Sequence, residues 1–515
     1  MKKTFQTTAL CCLFLNCYLF SHSQAGTLDA QFGDSGKVRT FFVNADYSYV
    51  SLLQPDNKII LAGGVGYQEP YQQLHFCMTR YKSNGRLDKT FGDNGHVITN
   101  LGYNSYFNAL AIQQDGKIVA AGYLSDNIWD VAKSYFAVLR YQTNGLLDSS
   151  FGNNGYVLTP VGIGNDNRAT SIALLPDGKI VVSGSAKGES ITIVRYNTNG
   201  KRDSTFGENG IVFSRVNSIA FRMYAMKILE NGSIIIGGGS SKDYNNYHFT
   251  LAKYQPNGKL DSSFGKNGLA VTIFDSTGIS TIKDLSVLPD GKIITIGGRE
   301  YYYEDSYLAR YYANGSLDKS FGNNGKLILE QSGIGKSLVV QSDGKYVACN
   351  NNYILYRFME DGTPDSSFGN GGKTKHIGFR AGYSSISTDI QIGKDNKILV
   401  SGYAYDYYEH SFFTMAKFNN DLKSYPSSTL YATAANVTGA TVFPNPARDI
   451  LHIEGLNKKS QNKMTIQDIN GKTMAVKTVN NSNYNWNIQN LAAGIYFLVI
   501  KNRDIVVSSL KFVEQ

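Results

Sequence analysis

One stretch, Asn84-Gly-Arg-Leu-Asp-Lys-Thr-Phe91-Gly-Asp-Asn-Gly95, returns along most of this chain. Variants stand at Leu28-Asp29…Phe32-Gly33, Leu147-Asp148…Phe151-Gly152, Arg202-Asp203…Phe206-Gly207 and Leu260-Asp261…Phe264-Gly265. Two more are Leu317-Asp318…Phe321-Gly322 and Pro364-Asp365…Phe368-Gly369, which makes seven copies spaced 47 to 60 residues apart. An array of this kind constrains the fold more than any single motif, because every unit must do the same structural job and pack against the next.

The chemistry of the repeat is that of turns. Asn-Gly and Asp-Gly tolerate positive φ, and the Asp after Leu can accept a backbone N–H two residues on. Phe is the one large apolar residue in a polar connection, so it is expected to plug the gap between neighbouring units. Asn-x-Asn-Gly-x-x-Asp is faintly like an oxygen-rich calcium loop. However, positions such as Asn199 and Asn209 supply amides where a cation wants carboxylates, so turn chemistry is favoured and no cofactor is expected.

A second signal recurs in phase with the first. Each unit carries a two-residue turn of a type that accepts left-handed φ, among them Asp115-Gly116, Asp177-Gly178, Asp290-Gly291 and Asp343-Gly344, with Asp56-Asn57, Asn231-Gly232 and Asp395-Asn396 as variants. Around it the strands read, after Phe-Gly, as Gly155–Thr159, Thr170–Leu175, Lys179–Gly184 and Ile191–Tyr196. The strand after each turn is a near-continuous Ile/Val/Ala run, as in Lys117-Ile-Val-Ala-Ala-Gly122, which suits a sheet covered on both faces. Four antiparallel strands repeated seven times predict an all-β fold, a seven-bladed β-propeller. With the first unit opening at its Phe-Gly stretch and the last ending at Phe412–Phe418, the ring is expected to close without a swapped strand. The Lys179-type residues after each turn read as strand-edge charges.

This pattern, Leu-Asp-x-x-Phe-Gly-x-x-Gly followed by Asp-Gly-Lys-Ile, resembles the delta-60 family of bacterial β-propeller repeats over about residues 26–420. The resemblance implies a propeller in a secreted or surface protein and carries no established activity. Arg202 and Pro364 depart from the Leu of the pattern, and the sixth unit is short.

Residues 1–23 read as a secretory signal peptide: Lys2-Lys3, an apolar run from Ala9 to Phe20, then Ser21 and Ser23, with cleavage between Ser23 and Gln24. The apolar run is too short for a membrane span, so no transmembrane segment is expected in the mature chain. Removal would leave Cys77 and Cys349, in different units, as buried singles. Of the net charge of +9, Lys2 and Lys3 carry +2 and residues 442–515 carry +4. The large middle therefore lacks the basic footprint of a nucleic-acid binder.

Residues 24–422 form the propeller in this reading, and the Ser/Thr/Ala-rich stretch 423–441 a linker. Alternating strands and an Asn-Gly hairpin over 442–515 predict a small Ig-like β-sandwich. That segment resembles the type A C-terminal sorting domain of the type IX secretion system of Bacteroidetes-type bacteria. The matching residues are Pro444-Asn445-Pro446, Gly471-Lys472, the Leu491-x-x-Gly494-x-Tyr496 element and the terminal Lys511-Phe-Val. The resemblance implies the type IX secretion machinery as partner and an extracellular location at the outer-membrane surface.

For a ligand, the loops that differ between units are the place to look. They bring Trp129, Asp130, Tyr244, Tyr302, Glu304 and Tyr407, a set suited to stacking on sugar rings and bonding hydroxyls. Non-catalytic binding of a glycan or a protein at the cell surface is the favoured reading. A polysaccharide-degrading enzyme using Glu304 with Asp305, or Asp406 with Glu409, is the alternative, and a structural surface component is a third. The six His outside the signal region show no metal-ligand spacing, and no catalytic constellation is evident.

Overall fold

In the computed structural model, residues 24–421 are described apart from 43–44, 68–72, 102–103, 126–133, 163–166, 187–189, 215–219, 244–245, 275–278, 301–303, 380–383 and 408–409. Of the C-terminal unit, 441–443, 449–456, 462–468, 473–491, 494–502 and 505–514 are described. The signal-peptide reading, with Ser23, residue 422 and residues 423–440 of the linker lie outside them.

Among the described residues, seven antiparallel sheets precede the C-terminal unit. Their innermost strands, for blades 1 to 7, are Ala45–Leu53, Asn104–Ile112, Arg168–Leu174, Ala220–Ile228, Ile279–Val287, Gly335–Val340 and Ser385–Ile392. Each of these contacts its neighbours in turn, and the seventh contacts the first, so the sheets form a closed ring. Blade 1 continues outward through Ile59–Tyr67, Gln73–Tyr81 and His96–Thr99. The second strands are buried along most of their length, and Ile118–Ser125 along all of it, because a neighbouring blade covers each face.

Three expectations are corrected. The short strand after each Phe-Gly does not open the next blade; it is the outer strand of the blade before, as Tyr156–Thr159 shows by pairing with Ser134–Tyr141. The Phe-Gly connection folds the chain back antiparallel onto the strand it has just left, whereas the next innermost strand lies across a wedge and shares no ladder. It follows that the first Phe-Gly copy belongs to the last blade. Lys37–Thr40 pairs with Ser411–Phe418 as the outer strand of blade 7, so the ring is closed by an N-terminal strand and not by a complete last unit. Asp29 N–H on the Lys417 carbonyl (2.8 Å) and Asn419 N–H on the Thr27 carbonyl (2.8 Å) extend that seam. Blade 6 also departs from the expected four strands: three form its sheet, with Lys373 only bridging to Tyr356.

Most wedges between blades are tied by a tyrosine ending the third strand, whereas those of blades 6 and 7 end in Phe358 and Phe418. Tyr81, Tyr141, Tyr196 and Tyr311 meet Thr40, Thr99, Thr159 and Thr272 of the preceding blade's outer strand at 2.6–2.8 Å. Where blade 6 meets blade 5 both partners become apolar, Phe358 and Leu329. Replacing both members of such a pair leaves no stranded hydroxyl and keeps the wedge filled.

The C-terminal unit has two sheets. Thr441–Phe443, Ile450–Glu454 and Tyr484–Asn487 face Thr473–Val479, Asn462–Asp468, Gly494–Asn502 and Ile505–Glu514 across a core that includes Leu451, Ile466, Trp486 and Leu498. Tyr496 of the sorting motif is buried in it, and Gly494 opens its strand. Pro444, Asn445, Pro446, Gly471 and Lys472 lie outside the described residues.

Candidate functional site

The antiparallel order sends the Asp-Gly turns and the Phe-Gly connections to one face of the ring and the variable loops to the other. On the first face the same clamp is built again and again. Phe91 is fully buried beneath the Arg80 guanidinium, 4.4 Å from the ring centre. Arg80 Nε donates to Asp88 Oδ2 at 2.8 Å and Arg80 Nη1 to the Thr143 carbonyl of the next blade at 2.6 Å. Thr90 N–H donates to Asp88 Oδ1, the expected Asx turn. Lys58, from the hairpin turn, lies 3.4 Å from the same Asp88 and 3.2 Å from Asp56, so these lysines are clamp members and not mere edge charges.

Burial alone would raise the Asp88 carboxyl, but hydrogen bonds from Thr90 and the charges of Arg80 and Lys58 hold it at about 2. Asp148, Asp203, Asp318 and Asp365 are lowered in the same way. The Gly after each Phe donates its N–H to the next blade, Gly92 to the Asn144 carbonyl at 2.7 Å for example. For blade 6 that acceptor is Ala25, again from the N-terminal segment. Asn94, Asn154, Asn209, Asn267 and Asn324 all take φ near +50°, as turn chemistry requires. This face is scaffold.

On the variable face, Trp129, Asp130, Tyr244 and Tyr302 lie outside the described residues, as does Glu409. Tyr407 is 77% exposed. Glu304 accepts from Asn351 Nδ2 at 3.0 Å, and Asp305 accepts the Gln331 N–H at 2.7 Å. Those bonds splice blade 5 to blade 6, and the two acids do not face each other across a cleft. Asp406 sits 3.3 Å from His410 Nδ1. Glu304 and Tyr407 belong to different blades, with blade 6 between them, so the structure does not gather the sequence-predicted set into one site.

It gathers another. Every innermost strand carries a one-residue bulge at the same level, at Tyr49, Asn108, Thr170, Tyr224, Lys283, Lys336 and Thr388. Opposite most bulges stands a glycine; a Cβ on Gly63 would overlap the Tyr47 carbonyl, and one on Gly122 the Tyr106 carbonyl. The bulge re-aims the half-buried side chains at its level toward the mouth of the central channel. Tyr47 and Tyr49 of blade 1 and Tyr106 of blade 2 stand at this level, and with Tyr403 and Tyr405 on the second strand of blade 7 and Tyr123 on that of blade 2 they touch in a continuous arc. Ring centres lie 5.7 Å apart for Tyr405–Tyr403, 5.3 Å for Tyr403–Tyr47, 6.2 Å for Tyr47–Tyr49, 5.3 Å for Tyr49–Tyr106 and 5.2 Å for Tyr106–Tyr123. Burial, reinforced by Tyr403 and Tyr106, pushes the Tyr49 phenol far up, so it stays a neutral hydroxyl. An arc of this kind offers flat apolar faces and O–H groups together. The signal in the sequence was Tyr-x-Tyr at 47/49 and 403/405, two side chains on one face of each strand.

Deeper, toward the Asp-Gly turns, the innermost strands of blades 4 to 7 line an open cavity of about 640 Å³. Within it Ser337 Oγ donates to Asp284 Oδ2 at 2.8 Å and lies 3.3 Å from Asp389 Oδ1. Asp284 also accepts the Leu338 N–H (3.0 Å), and Asp389 accepts the Ser51 N–H and Oγ–H (3.0 and 2.7 Å). Burial raises the Asp389 carboxyl and the Asp284 charge adds to the rise, against the Ser51 bonds. Among the described residues no group of three or more His, Cys, Asp or Glu is arranged to hold a metal ion.

Comparison with known proteins agrees with both units. Residues 441–514 match the secretion system C-terminal sorting domain. Residues 54–91, 113–151, 175–206, 229–264 and 288–321 match the domain of unknown function (DUF5122) beta-propeller. No curated protein matches in sequence. Among solved structures, PorZ of Porphyromonas gingivalis, described as an essential bacterial surface component of the type-IX secretion system, is similar at TM-score 0.39 and 14% identity over 92% of this chain. The chain spans 59% of that protein's length. An oxidoreductase (glucose dehydrogenase) from Thermus thermophilus is similar at TM-score 0.35 and 12% identity, over 74% of this chain and 100% of that one. The sorting domain marks the chain for export by its secretion system to the cell surface or extracellular space. Among the described residues no helix is long and apolar enough to cross a membrane.

Proposed function

For a chain built of DUF5122 propeller repeats and exported by a C-terminal sorting domain, we propose non-catalytic binding at the cell surface, with a glycan held at the channel mouth. The tyrosine arc over blades 7, 1 and 2 carries this reading. Sugar C–H faces stack on aromatic rings, and the phenol hydroxyls and Asn108 supply hydrogen bonds to hydroxyl groups. The arc is also a part of the ring that the repeat does not dictate, since equivalent positions on other blades, Tyr224 excepted, hold other residues. Retention of the full chain on a panel of immobilised polysaccharides tests it. Retention on at least one polymer, released by Tyr49→Ala with an unchanged melting temperature, is expected. No retention on any polymer would replace this reading with adhesion to a protein.

A polysaccharide-degrading activity has one observation in its favour, the Asp284–Ser337–Asp389 chain in the central cavity. Both carboxylates, however, accept N–H groups from the bare edges of neighbouring innermost strands, a task that closes the ring. Product analysis of the retained polymer separates the two readings: intact polymer supports binding, and shortened chains support the enzyme.

A further inference from the structure

The innermost tyrosines of the arc stand inside the ring and not on its rim. Innermost strands run from the variable face toward the Asp-Gly turns, so position along a strand is depth, at about 3.3 Å per residue. Tyr47 and Tyr106 each stand two residues below the start of their strands, Ala45–Leu53 and Asn104–Ile112. Tyr49 stands four below its strand's start, roughly 13 Å inside. The wall that faces it is made by the bulges of blades 3 to 6 at the same level. Each innermost strand contacts the next and the seventh contacts the first, so this wall is continuous among the described residues.

The ring planes agree with that enclosure. Neighbouring rings turn by 81° from Tyr405 to Tyr403, 83° from Tyr403 to Tyr47 and 59° from Tyr49 to Tyr106, whereas Tyr47 and Tyr49 are parallel within 6°. A polymer lying flat needs aromatic faces in one plane along its length. Rings that cross this steeply make the curved side of a recess, suited to a single sugar unit.

A groove is open at both ends and admits the middle of a chain. A recess within a closed ring is reached only along its axis. The channel does continue to the open cavity of blades 4 to 7, but a chain passing that way must also enter by an end.

We propose that the mouth recognises terminal sugar units, at chain ends or branch tips, and not the interior of a polysaccharide. This rests on the glycan-binding reading above and adds which part of the glycan is held.

The test counts ends. Soluble amylose, xylan, glucomannan and laminarin are titrated with the full chain, each whole and after limited acid hydrolysis that multiplies its ends. Protein bound per gram at saturation is expected to follow the ends, roughly tenfold more for a tenfold excess, because one recess takes one end. Tyr49→Ala should abolish that gain. Tyr407→Ala, on the 77% exposed loop position outside the recess, should leave it unchanged. Should Tyr49→Ala fold poorly, Tyr106→Ala is read instead. Saturation that does not change with the ends overturns the inference, and glycan binding then still stands if Tyr49→Ala removes the uptake. Uptake lost in Tyr407→Ala and kept in Tyr49→Ala lays the polymer across the loops and also overturns it. Uptake of no polymer in either form removes both claims.

Discussion

The two faces of this ring obey different rules. On the turn face one clamp of Arg or Lys, Asp, Phe and Gly is copied from blade to blade with nearly unchanged distances. At the opposite mouth, one structural device, the bulge, is copied, but the residue it presents changes from tyrosine to asparagine to lysine. Repetition marks what every blade needs in order to stand beside its neighbour. Variation on a fixed backbone marks what only one place in the ring needs, and that is where recognition belongs.

Breaking the seam tests the scaffold half of this comparison most severely. Deletion of residues 24–42 removes the outer strand of blade 7 and the Ala25 acceptor of blade 6, and cooperative thermal unfolding of the propeller is expected to be lost. A sharp melt close to that of the intact chain would return the ring to closure by a complete last unit.

Acid tests all the clamps together. A carboxyl held at about 2 when folded and near its ordinary 3.8 when unfolded contributes stability that is complete above about pH 4. That stability is lost as pH falls through 2. With several aspartates lowered in concert, unfolding followed by circular dichroism should steepen between pH 4 and pH 2. Asp389, raised in the folded state, works weakly in the opposite sense. A flat response over that window would show that the clamps contribute little.

A single clamp should matter less. Arg140→Ala leaves the buried Asp148 carboxylate with only Lys117 at 3.1 Å and Ser150 as partners and removes the bond to the Thr198 carbonyl, a loss of about 3 kcal/mol read by denaturant titration. Removing both charges with Arg140→Met and Asp148→Ala should cost less than the single change. Smallest is Tyr196→Phe, which leaves Thr159 without its 2.6 Å partner and should cost about 1–2 kcal/mol. Its natural counterpart is the Phe358–Leu329 wedge, which already does without the hydroxyls.

The turn chemistry, the blade count and the C-terminal sandwich were legible in the sequence because each rests on local signals: Asn-Gly and Asp-Gly pairs, unbroken apolar runs, a change of composition past residue 441. The blade boundary was not. Residues 156–159 look the same whether they pair backward or forward, and only the ladder to Phe136 and Leu139 decides it. Closure by residues 37–40 was hidden for the same reason. The site was read from loop composition, where Tyr407 and Glu304 stood out, whereas the tyrosines that touch lie within strands. Tyr is a strong strand former, and 35 tyrosines in the chain gave Tyr47, Tyr49 and Tyr106 no prominence until the bulges brought them together.

The most direct test of the division between the faces sets Tyr49→Ala beside Arg140→Ala in one experiment. Affinity for the polysaccharide that retains the full chain is measured well below the melting temperature of either variant, and a melting curve is recorded for each. Tyr49→Ala should lose roughly tenfold or more in affinity with a small change in melting, and Arg140→Ala should melt far earlier with its affinity intact. The opposite pattern, affinity lost in a folded Arg140→Ala and kept in Tyr49→Ala, would place recognition on the repeated face and contradict the account.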